Sequence, residues 1–261
     1  MTNPTPARWI DLAGVANMRD VGGLPTRDGG RIAERRLVRS DNLQTLTDAD
    51  VRHLLEVVGV SDVIDLRSQK ERAYAGPGPL ARTRVRHHHH SFLADDRREV
   101  TAEEALAMPW LNADDASEGG DYWTRHYLSY LRQRPDSVAG ALTAVAQAPG
   151  ATIVHCAAGK DRTGTVVAMA LSVAGVPDEE IIADYVRSAE RIEAIVARLM
   201  TQEPYAQLLP HHSIDDTTPR AETMVSILTA LREEYGGSTQ WLLAHGWTED
   251  DLARLRARLL D

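Results

Sequence analysis

The sequence predicts an α/β protein in which a small, largely parallel central sheet is flanked by many helices. Residues 60–66 and 152–154 are short, apolar and β-branched, as buried strands are. The second of these strands runs into a glycine-containing loop and then into an apolar helix over residues 163–174. Because helices outnumber strands and a strand feeds a helix directly, we expect both faces of the sheet to be covered.

The helices are predicted from the spacing of their apolar residues and from signals at their ends. The first begins at Thr47, which is followed three residues later by an acid, and it ends at Gly59. The helix over residues 163–174 ends before Gly175 and Pro177. Further helices are predicted over residues 121–132, 137–147, 178–200, 219–235, 238–244 and 248–260.

The composition is typical of one globular domain. No low-complexity linker divides the 261 residues, so we expect a single domain over residues 1–261. With 43% hydrophobic residues the chain can close a sizeable core. The formal net charge of -9 argues against a nucleic-acid partner, which would be bound by clustered Lys and Arg. Any phosphate site must therefore be locally positive.

The sequence also bears on the compartment. The first residues, MTNPTPARWIDL, lack the basic stretch and apolar run of a secretory signal. Residues 166–176 are too short for an integral membrane segment, which needs about 20 apolar residues. The single cysteine, Cys156, excludes an intramolecular disulfide and a multi-cysteine metal site, which fits a reducing compartment. We expect a soluble, cytoplasmic protein, with export without a signal peptide and the oligomeric state left open.

The chemistry is concentrated in residues 155–164, HCAAGKDRTG, between the second strand and its helix. A helix N-terminus has unpaired N–H groups and a positive dipole end, and small residues let the preceding backbone wrap closely around an oxyanion. The same groups would stabilise the thiolate of Cys156, the candidate nucleophile. The candidate phosphate-binding residues are Ala157, Ala158, Gly159, Lys160, Asp161 and Arg162.

Side chains of this loop complete a catalytic pattern. Arg162 lies six positions after Cys156, so its planar fork can return to two oxygens of one phosphoryl group. Lys160 adds positive charge, and the Thr163 hydroxyl would reach Cys156 to help the thiolate form and leave. His155 would order the loop by hydrogen bonds. Each residue alone is commonly structural, but the set in this order points to phosphoryl transfer.

The loop resembles the HC-x5-R-[ST] signature of the protein tyrosine phosphatase superfamily, in particular of bacterial members. The resemblance extends to residues 17–23 (NMRDVGG), 38–43 (VRSDNL), 65–68 (DLRS) with Glu71, 183–188 (ADYVRS) and 235–237 (YGG). It implies hydrolysis of phosphotyrosine-type esters of phosphorylated proteins through a phosphocysteine, without a metal ion or other cofactor. Some members of the superfamily also act on phosphoserine, phosphothreonine or phosphoinositides, so the resemblance implies these as further possible substrate classes.

The general acid is not fixed by the resemblance. Many superfamily members carry it on a Trp-Pro-Asp loop, which this sequence lacks. Asp161 in the loop is the favoured candidate and Asp95 the rival, although Asp161 could instead orient Lys160 and Arg162. Asp65, at the end of a buried strand, is expected to support the loop by pairing with an arginine such as Arg19 or Arg39. These two arginines are therefore expected, like His155, to be supporting residues of the site.

Two further segments have functional and structural interpretations. Residues 188–218 are a candidate helical lid within the domain, as in the resembling family, or an ordinary surface helix pair. The histidines at 87–90 could bind a metal, but consecutive residues of an extended segment alternate faces, so a solvated strand edge is favoured and no metal site is expected.

Other functions remain in competition with the phosphotyrosine phosphatase. A non-catalytic phosphoprotein-binding module would have lost the nucleophile or the arginine, and both are present. An arsenate-type reductase would need a resolving cysteine or a thiol donor, and a sulfurtransferase shares only the loop type. A dual-specificity or phosphoinositide phosphatase is the main alternative: Lys160 resembles the lysine of lipid phosphatases, whereas Ala157 stands where some of them have a second lysine.

Overall fold

One six-stranded sheet organises the fold in the computed structural model, which describes residues 5–93, 122–202, 205–208 and 217–260. The strand order is β1-β2-β3-β6-β4-β5. Strands β3, β6, β4 and β5 are parallel, whereas β1 and β2 are antiparallel at one edge. The prediction of a largely parallel sheet is confirmed. The strands are β1 Arg8–Trp9, β2 Arg19–Asp20, β3 Leu37–Ser40, β4 Val60–Asp65, β5 Arg86–His89 and β6 Ala151–His155.

Helices account for most of the remaining described residues. None of them is long and apolar enough to cross a lipid bilayer. The α-helices are α1 Asp48–His53, α2 Gln69–Ala75, α3 Tyr122–Gln133, α4 Pro135–Gln147, α5 Asp161–Val173, α6 Asp178–Val186, α7 Ile192–Leu199, α8 Tyr205–Leu208, α9 Ala221–Tyr235, α10 Ser238–Ala244 and α11 Glu249–Leu259. A π-helical turn, Leu54–Val58, continues α1, and 3₁₀ turns cover Pro79–Arg82 and Arg187–Arg191.

The predicted signals at the ends of the first helix are confirmed. Thr47 accepts a hydrogen bond from the backbone of Asp50 (3.1 Å), and the Asp50 carboxylate accepts one from the backbone of Thr47 (2.9 Å). This reciprocal pair satisfies donors that a helix start leaves unpaired. Gly59 ends the π-helical turn in the left-handed conformation, with φ of 75°.

The prediction of one continuous helix over residues 178–200 is wrong. The chain divides there into α6, the 3₁₀ turn Arg187–Arg191 and α7. The hydroxyl of Ser188, within the turn, accepts hydrogen bonds from Asn17 Nδ2 (3.1 Å) and Arg19 Nη2 (3.3 Å). These long-range bonds accompany a break in the helix that the apolar spacing does not reveal.

Both faces of the sheet are covered, as predicted. Alternate residues of a strand point to opposite faces. Ile64 and Val154 therefore lie in the large apolar cluster built from α3–α6 and α9–α11. Val63 and Ile153 lie in a smaller apolar cluster, together with Leu54 and Val58 of the π-helical turn that continues α1.

The register brings the carboxyl ends of four strands to one edge of the sheet. His155 of β6 pairs with Ser40 of β3 and with Asp65 of β4, and Asp65 pairs with His89 of β5. Ligands of open α/β sheets bind in the crevice beyond such ends. The loop after β6 opens at this edge, and it carries the predicted chemistry.

The four-histidine run lies in and just after β5, the outer strand of the sheet, with His87 and His89 exposed. His88 Nε2 contacts Asp62 Oδ1 (2.8 Å), whereas His89 Nε2 contacts the carbonyl of Arg67 (2.8 Å). Neighbouring histidines of the run thus have different partners, and the predicted strand edge is confirmed.

Candidate active site

The loop between β6 and α5 is held by backbone contacts with two neighbouring strands. The Asn42 N–H donates to the Ala157 carbonyl (3.0 Å), and the Leu66 N–H donates to the His155 carbonyl (3.0 Å). Gly159 has φ of 68°, and a Cβ there would lie 2.4 Å from the carbonyl carbon of Ser40. Only glycine fits this position, because the backbone is left-handed and in close contact with β3.

Cys156 lies at the base of the loop and is 2% exposed. The first turn of α5, where a helix has free N–H groups and a positive dipole end, begins five residues later. Thr163, predicted to assist this thiol, is fully buried, and its hydroxyl makes no hydrogen bond with the residues that the structure describes. The role of Thr163 therefore stays a prediction.

Arg162 is held by a carboxylate that the sequence did not identify as functional. Its Nη1 donates to Glu71 Oε2 (2.6 Å) and its Nη2 to Glu71 Oε1 (2.9 Å). Burial alone would lower the pKa of Arg162, but the charge and hydrogen bonds of Glu71 raise it well above its usual value. The arginine is therefore charged and fixed in orientation, while its Nε donates to no described side chain.

Glu71 also binds groups outside the loop. Its Oε2 accepts from the Ser68 backbone (2.7 Å), and its Oε1 accepts from the Tyr205 hydroxyl (3.0 Å). The sequence did contain a signal here, because Ser68 and Glu71 have the spacing of a capping box. That spacing predicts the start of α2, but not that the carboxylate faces Arg162.

Lys160 and Asp161 adjoin each other at the end of the loop. Lys160 is 2% exposed; its Nζ donates to the Thr217 carbonyl (2.6 Å) and lies 3.5 Å from Asp161 Oδ1. Burial lowers the pKa of Lys160, and the charge of Asp161 opposes this shift. Asp161 Oδ1 also accepts a hydrogen bond from the Tyr127 hydroxyl. The carboxylate is thus bound at one oxygen by a cation and a hydroxyl.

His155 lies at the end of β6, where the loop begins. Its Nδ1 lies 3.2 Å from the Cys156 carbonyl, and its Nε2 lies 3.8 Å from Asp65 Oδ1. Burial lowers the pKa of His155 to about 4, although Asp65 opposes the shift. The imidazole is therefore neutral near pH 7, and it contacts the Cys156 carbonyl; its role in ordering the loop stays a prediction.

Asp65 pairs with an arginine, but the predicted partners Arg19 and Arg39 are wrong. Its carboxylate binds Arg67 Nε (2.9 Å) and Nη2 (2.7 Å). The physical reason is the strand order, because β6 separates Asp65 on β4 from Arg39 on β3, whereas Arg67 follows Asp65 by two residues. Burial would raise the pKa of Asp65, but His155 and Arg67 lower it below its usual value.

Arg19 and Arg39 instead share Asp184 of α6. Arg19 Nε donates to Asp184 Oδ1 (2.9 Å), and Arg39 Nη1 donates to Asp184 Oδ2 (2.6 Å). Burial would raise the pKa of Asp184, but the two arginines lower it to about 2. We call these three residues the buried ion cluster. Asp184 belongs to a block that carries the family resemblance, yet nothing local in the sequence indicates its partners.

The buried ion cluster supports the loop from behind. Arg39 Nη2 donates to the Gly159 carbonyl (2.9 Å). Asn17, which accepts from Arg19 Nη1 (2.7 Å), donates through Nδ2 to the carbonyls of Ala158 (3.0 Å) and Gly159 (3.2 Å). In a trans peptide the carbonyl and the next N–H point in opposite directions. Holding these carbonyls from behind therefore turns the N–H groups of Gly159 and Lys160 towards the opposite side.

The described part of the candidate lid contacts the same loop. Ala157 and Ala158 pack in an apolar cluster with α7 residues and Tyr205. The rival acid Asp95, and residues 203–204 and 209–216 of the lid segment 188–218, lie outside the described residues.

Comparison with known proteins identifies relatives along nearly the whole chain. Residues 10–261 match the model of the tyrosine phosphatase family. A triple specificity protein phosphatase, PtpB, from Mycobacterium tuberculosis is 32% identical over 96% of this chain and 98% of its own length. A tyrosine-protein phosphatase from Nostoc commune is 31% identical over 85% of this chain and 73% of its own length. A solved structure, TpbA from P. aeruginosa, is 17% identical, with a TM-score of 0.34 over 85% of this chain and 95% of that one.

The buried ion cluster generates a stability prediction. Asp184→Asn leaves two buried arginines without their carboxylate, so we expect a loss of about 3–5 kcal/mol of unfolding free energy, as for other broken buried pairs. Asp178→Asn is the matched control, because Asp178 lies on the same helix and pairs with the exposed Arg27 and Arg232. It should cost about 1 kcal/mol or less. Denaturant titration measures both, and equal losses would contradict the role assigned to Asp184.

Proposed function

We propose that this chain, which belongs to the tyrosine phosphatase family, hydrolyses phosphotyrosine-type phosphomonoesters with Cys156 as the nucleophile. The observation that carries the proposal is the arrangement of the loop after β6. Cys156 lies at its base, Gly159 and the buried ion cluster fix its backbone, and Arg162 is oriented by Glu71. An anion that enters the loop would meet N–H groups and a guanidinium that are already positioned.

In the first chemical step the thiolate of Cys156 attacks phosphorus and forms the S–P bond. The P–O bond to the tyrosyl oxygen breaks, and that oxygen takes a proton from the general acid. Loop N–H groups and the Nε edge of Arg162 stabilise the three equatorial oxygens. The Arg162 guanidinium suits this task because it can donate two hydrogen bonds in one plane from its Nε edge. Glu71 binds the other edge, which is formed by Nη1 and Nη2.

In the second step water attacks the phosphocysteine and releases phosphate. The S–P bond breaks, the thiolate of Cys156 returns, and the water proton passes to the carboxylate that served as the acid. We assign the leaving thiolate a hydrogen bond from Thr163, whose buried hydroxyl bonds no other described residue. None of these steps calls for a metal ion or an organic cofactor.

Asp161 is our candidate for the general acid. It lies in the loop that binds the phosphoryl group and is 4% exposed. Its Oδ1 is bound by Tyr127 and adjoins Lys160, whereas its Oδ2 makes no hydrogen bond with the part of the chain that the structure describes. That second oxygen is available for the transferred proton. The competing role, orientation of Lys160, is compatible with the 3.5 Å contact and needs an experiment to separate it.

We also propose that residues 188–218 act as a lid. Three contacts of its described parts support this: Tyr205 donates to Glu71, the carbonyl of Thr217 accepts from Lys160, and α7 covers Ala157 and Ala158. Segments that cover an active site in this way exclude water and move to admit substrate. Opening would separate Lys160 from the Thr217 carbonyl, which frees one of its three N–H donors for a phosphate oxygen.

For the substrate class, phosphorylated proteins come first and phosphoserine, phosphothreonine or phosphoinositides second. The second choice is favoured by Lys160, an additional cation next to Arg162, and by the printed name of the mycobacterial relative, a triple specificity phosphatase. A purely phosphate-binding role is disfavoured because Cys156 and Arg162 are both present. We propose a cytoplasmic location, since a single free cysteine fits a reducing compartment.

Substitution of the two central residues tests the mechanism. Cys156→Ser should abolish turnover while vanadate or phosphate still binds, because the loop remains and only the thiolate is lost. Arg162→Lys should also lose most of kcat, since an ammonium group cannot bind two oxygens in a plane. Steady-state assays with EDTA present, with calorimetry for binding, measure these effects. Near-wild-type turnover in Cys156→Ser would eliminate the mechanism, and an Arg162→Lys defect confined to KM would reduce the arginine to a binding residue.

The general acid can be identified from leaving groups. Asp161→Asn should slow hydrolysis of phosphotyrosine or alkyl phosphates, whose leaving groups need a proton, by roughly 10²–10⁴-fold. Activated aryl phosphates should be affected much less. Asp95→Asn is the comparison variant, and a panel of substrates of graded leaving-group pKa provides the measurement. A uniform defect in Asp161→Asn together with a leaving-group-dependent one in Asp95→Asn would reverse our assignment.

A further inference from the structure

Two buried tyrosines form a hydroxyl chain that ends on Asp161. Tyr127, on α3, donates a hydrogen bond to Asp161 Oδ1, and its oxygen lies 2.9 Å from the hydroxyl of Tyr185 on α6. Burial and the charge of Asp161 raise the pKa of Tyr127 well above its usual value, so this hydroxyl keeps its proton. A hydroxyl has one proton to donate. Since that of Tyr127 goes to Asp161, Tyr185 is the donor in the second bond.

The packing of α5, the helix that follows the loop, leaves room for this chain of two hydroxyls. A Cβ on Gly164 would lie 3.1 Å and 3.3 Å from ring carbons of Tyr185, closer than ordinary contact. The two tyrosine rings meet edge to face, with centroids 6.3 Å apart. The glycine that ends the HCAAGKDRTG sequence therefore gives Tyr185 the space to reach Tyr127.

We propose that Tyr127 and Tyr185 are positioning residues for acid catalysis: they hold Asp161 Oδ1, leave Oδ2 to carry the proton, and stabilise the carboxylate formed when that proton leaves. The inference rests on the proposed role of Asp161. A hydrogen bond to a carboxylate is stronger than one to a neutral carboxyl, and a second hydroxyl behind the first polarises it further. Neither tyrosine gains or loses a proton in the cycle.

Several other groups face Asp161 and bear on the pH dependence. Lys160 precedes it in the loop, and Arg162 follows it on α5. From α3, His126 and Tyr130 are close enough to interact with its charge. Burial lowers the pKa of His126 to about 4, so this imidazole is neutral over the range in which the acid would work. Among the described residues, Tyr127 is the neutral side chain that donates a hydrogen bond directly to the Asp161 carboxylate.

Tyr127→Phe removes the direct donor and keeps the ring. We expect the alkaline limb of the kcat–pH profile for phosphotyrosine to move upward by roughly one pH unit, because the ionised form loses a charge-assisted hydrogen bond. With an activated aryl phosphate the profile should stay in place. Tyr185→Phe, one bond further away, should move the limb in the same direction by less. Tyr235→Phe is the control: it is a half-buried tyrosine at the end of α9 whose ring contacts His245, with centroids 6.4 Å apart, and its limb should not move.

The outcomes separate the inference from the function on which it rests. An unmoved limb in both Tyr127→Phe and Tyr185→Phe, or an equal kcat loss for both kinds of leaving group, would overturn the role of the tyrosines. If Asp161→Asn keeps its leaving-group dependence in that case, Asp161 remains the acid and only the hydroxyl chain fails. A uniform defect in Asp161→Asn would overturn both. Should Tyr127→Phe fail to fold, as judged by thermal unfolding, Tyr185→Phe still decides.

Discussion

The pairing of Arg19 and Arg39 with Asp184 is the interaction on which the rest of the site depends. Taking charges out of water is costly unless each has a partner and further hydrogen bonds, so three buried ionic groups restrict one another's positions. The cluster joins β2, β3 and α6, which are far apart in the sequence. Through Arg39 and Asn17 it reaches the carbonyls of Ala158 and Gly159. The phosphate loop thus takes its shape from contacts behind it.

Glu71 fixes the side chain of Arg162 as the buried ion cluster fixes the loop backbone. It completes the capping box with Ser68 at the start of α2 and binds both Nη atoms of Arg162, so the start of a helix and the orientation of an arginine depend on one buried carboxylate. The Tyr205 hydroxyl binds this carboxylate too. A movement of Tyr205 would therefore change the surroundings of Arg162, which gives the proposed lid a physical link to the catalytic arginine in addition to covering the loop.

Much of the fold and part of the site could be predicted because their signals are local. The Thr47–Asp50 cap, the strand ending at His155, and the loop residues each depend on neighbours in the sequence. Other features depend on tertiary partners. Apolar spacing could not reveal the break in the helix at Ser188. Asp65 pairs with Arg67 and not with Arg39, because β6 lies between the strands that carry Asp65 and Arg39. Glu71, Asp184 and Tyr127 escaped a functional assignment for the same reason.

The central claim is that the loop positions Cys156 to form a covalent phosphoenzyme. Acid quenching within milliseconds of mixing with phosphotyrosine, followed by peptide mass spectrometry, tests it most directly, since the thiophosphate ester is an obligatory intermediate of this mechanism. The account predicts a phosphate adduct on Cys156 that is absent from Cys156→Ser. With an activated substrate the adduct accumulates in Asp161→Asn, because this variant lacks the carboxylate that takes the water proton in the second step. Turnover without any adduct on Cys156, or an adduct on another residue, would contradict it.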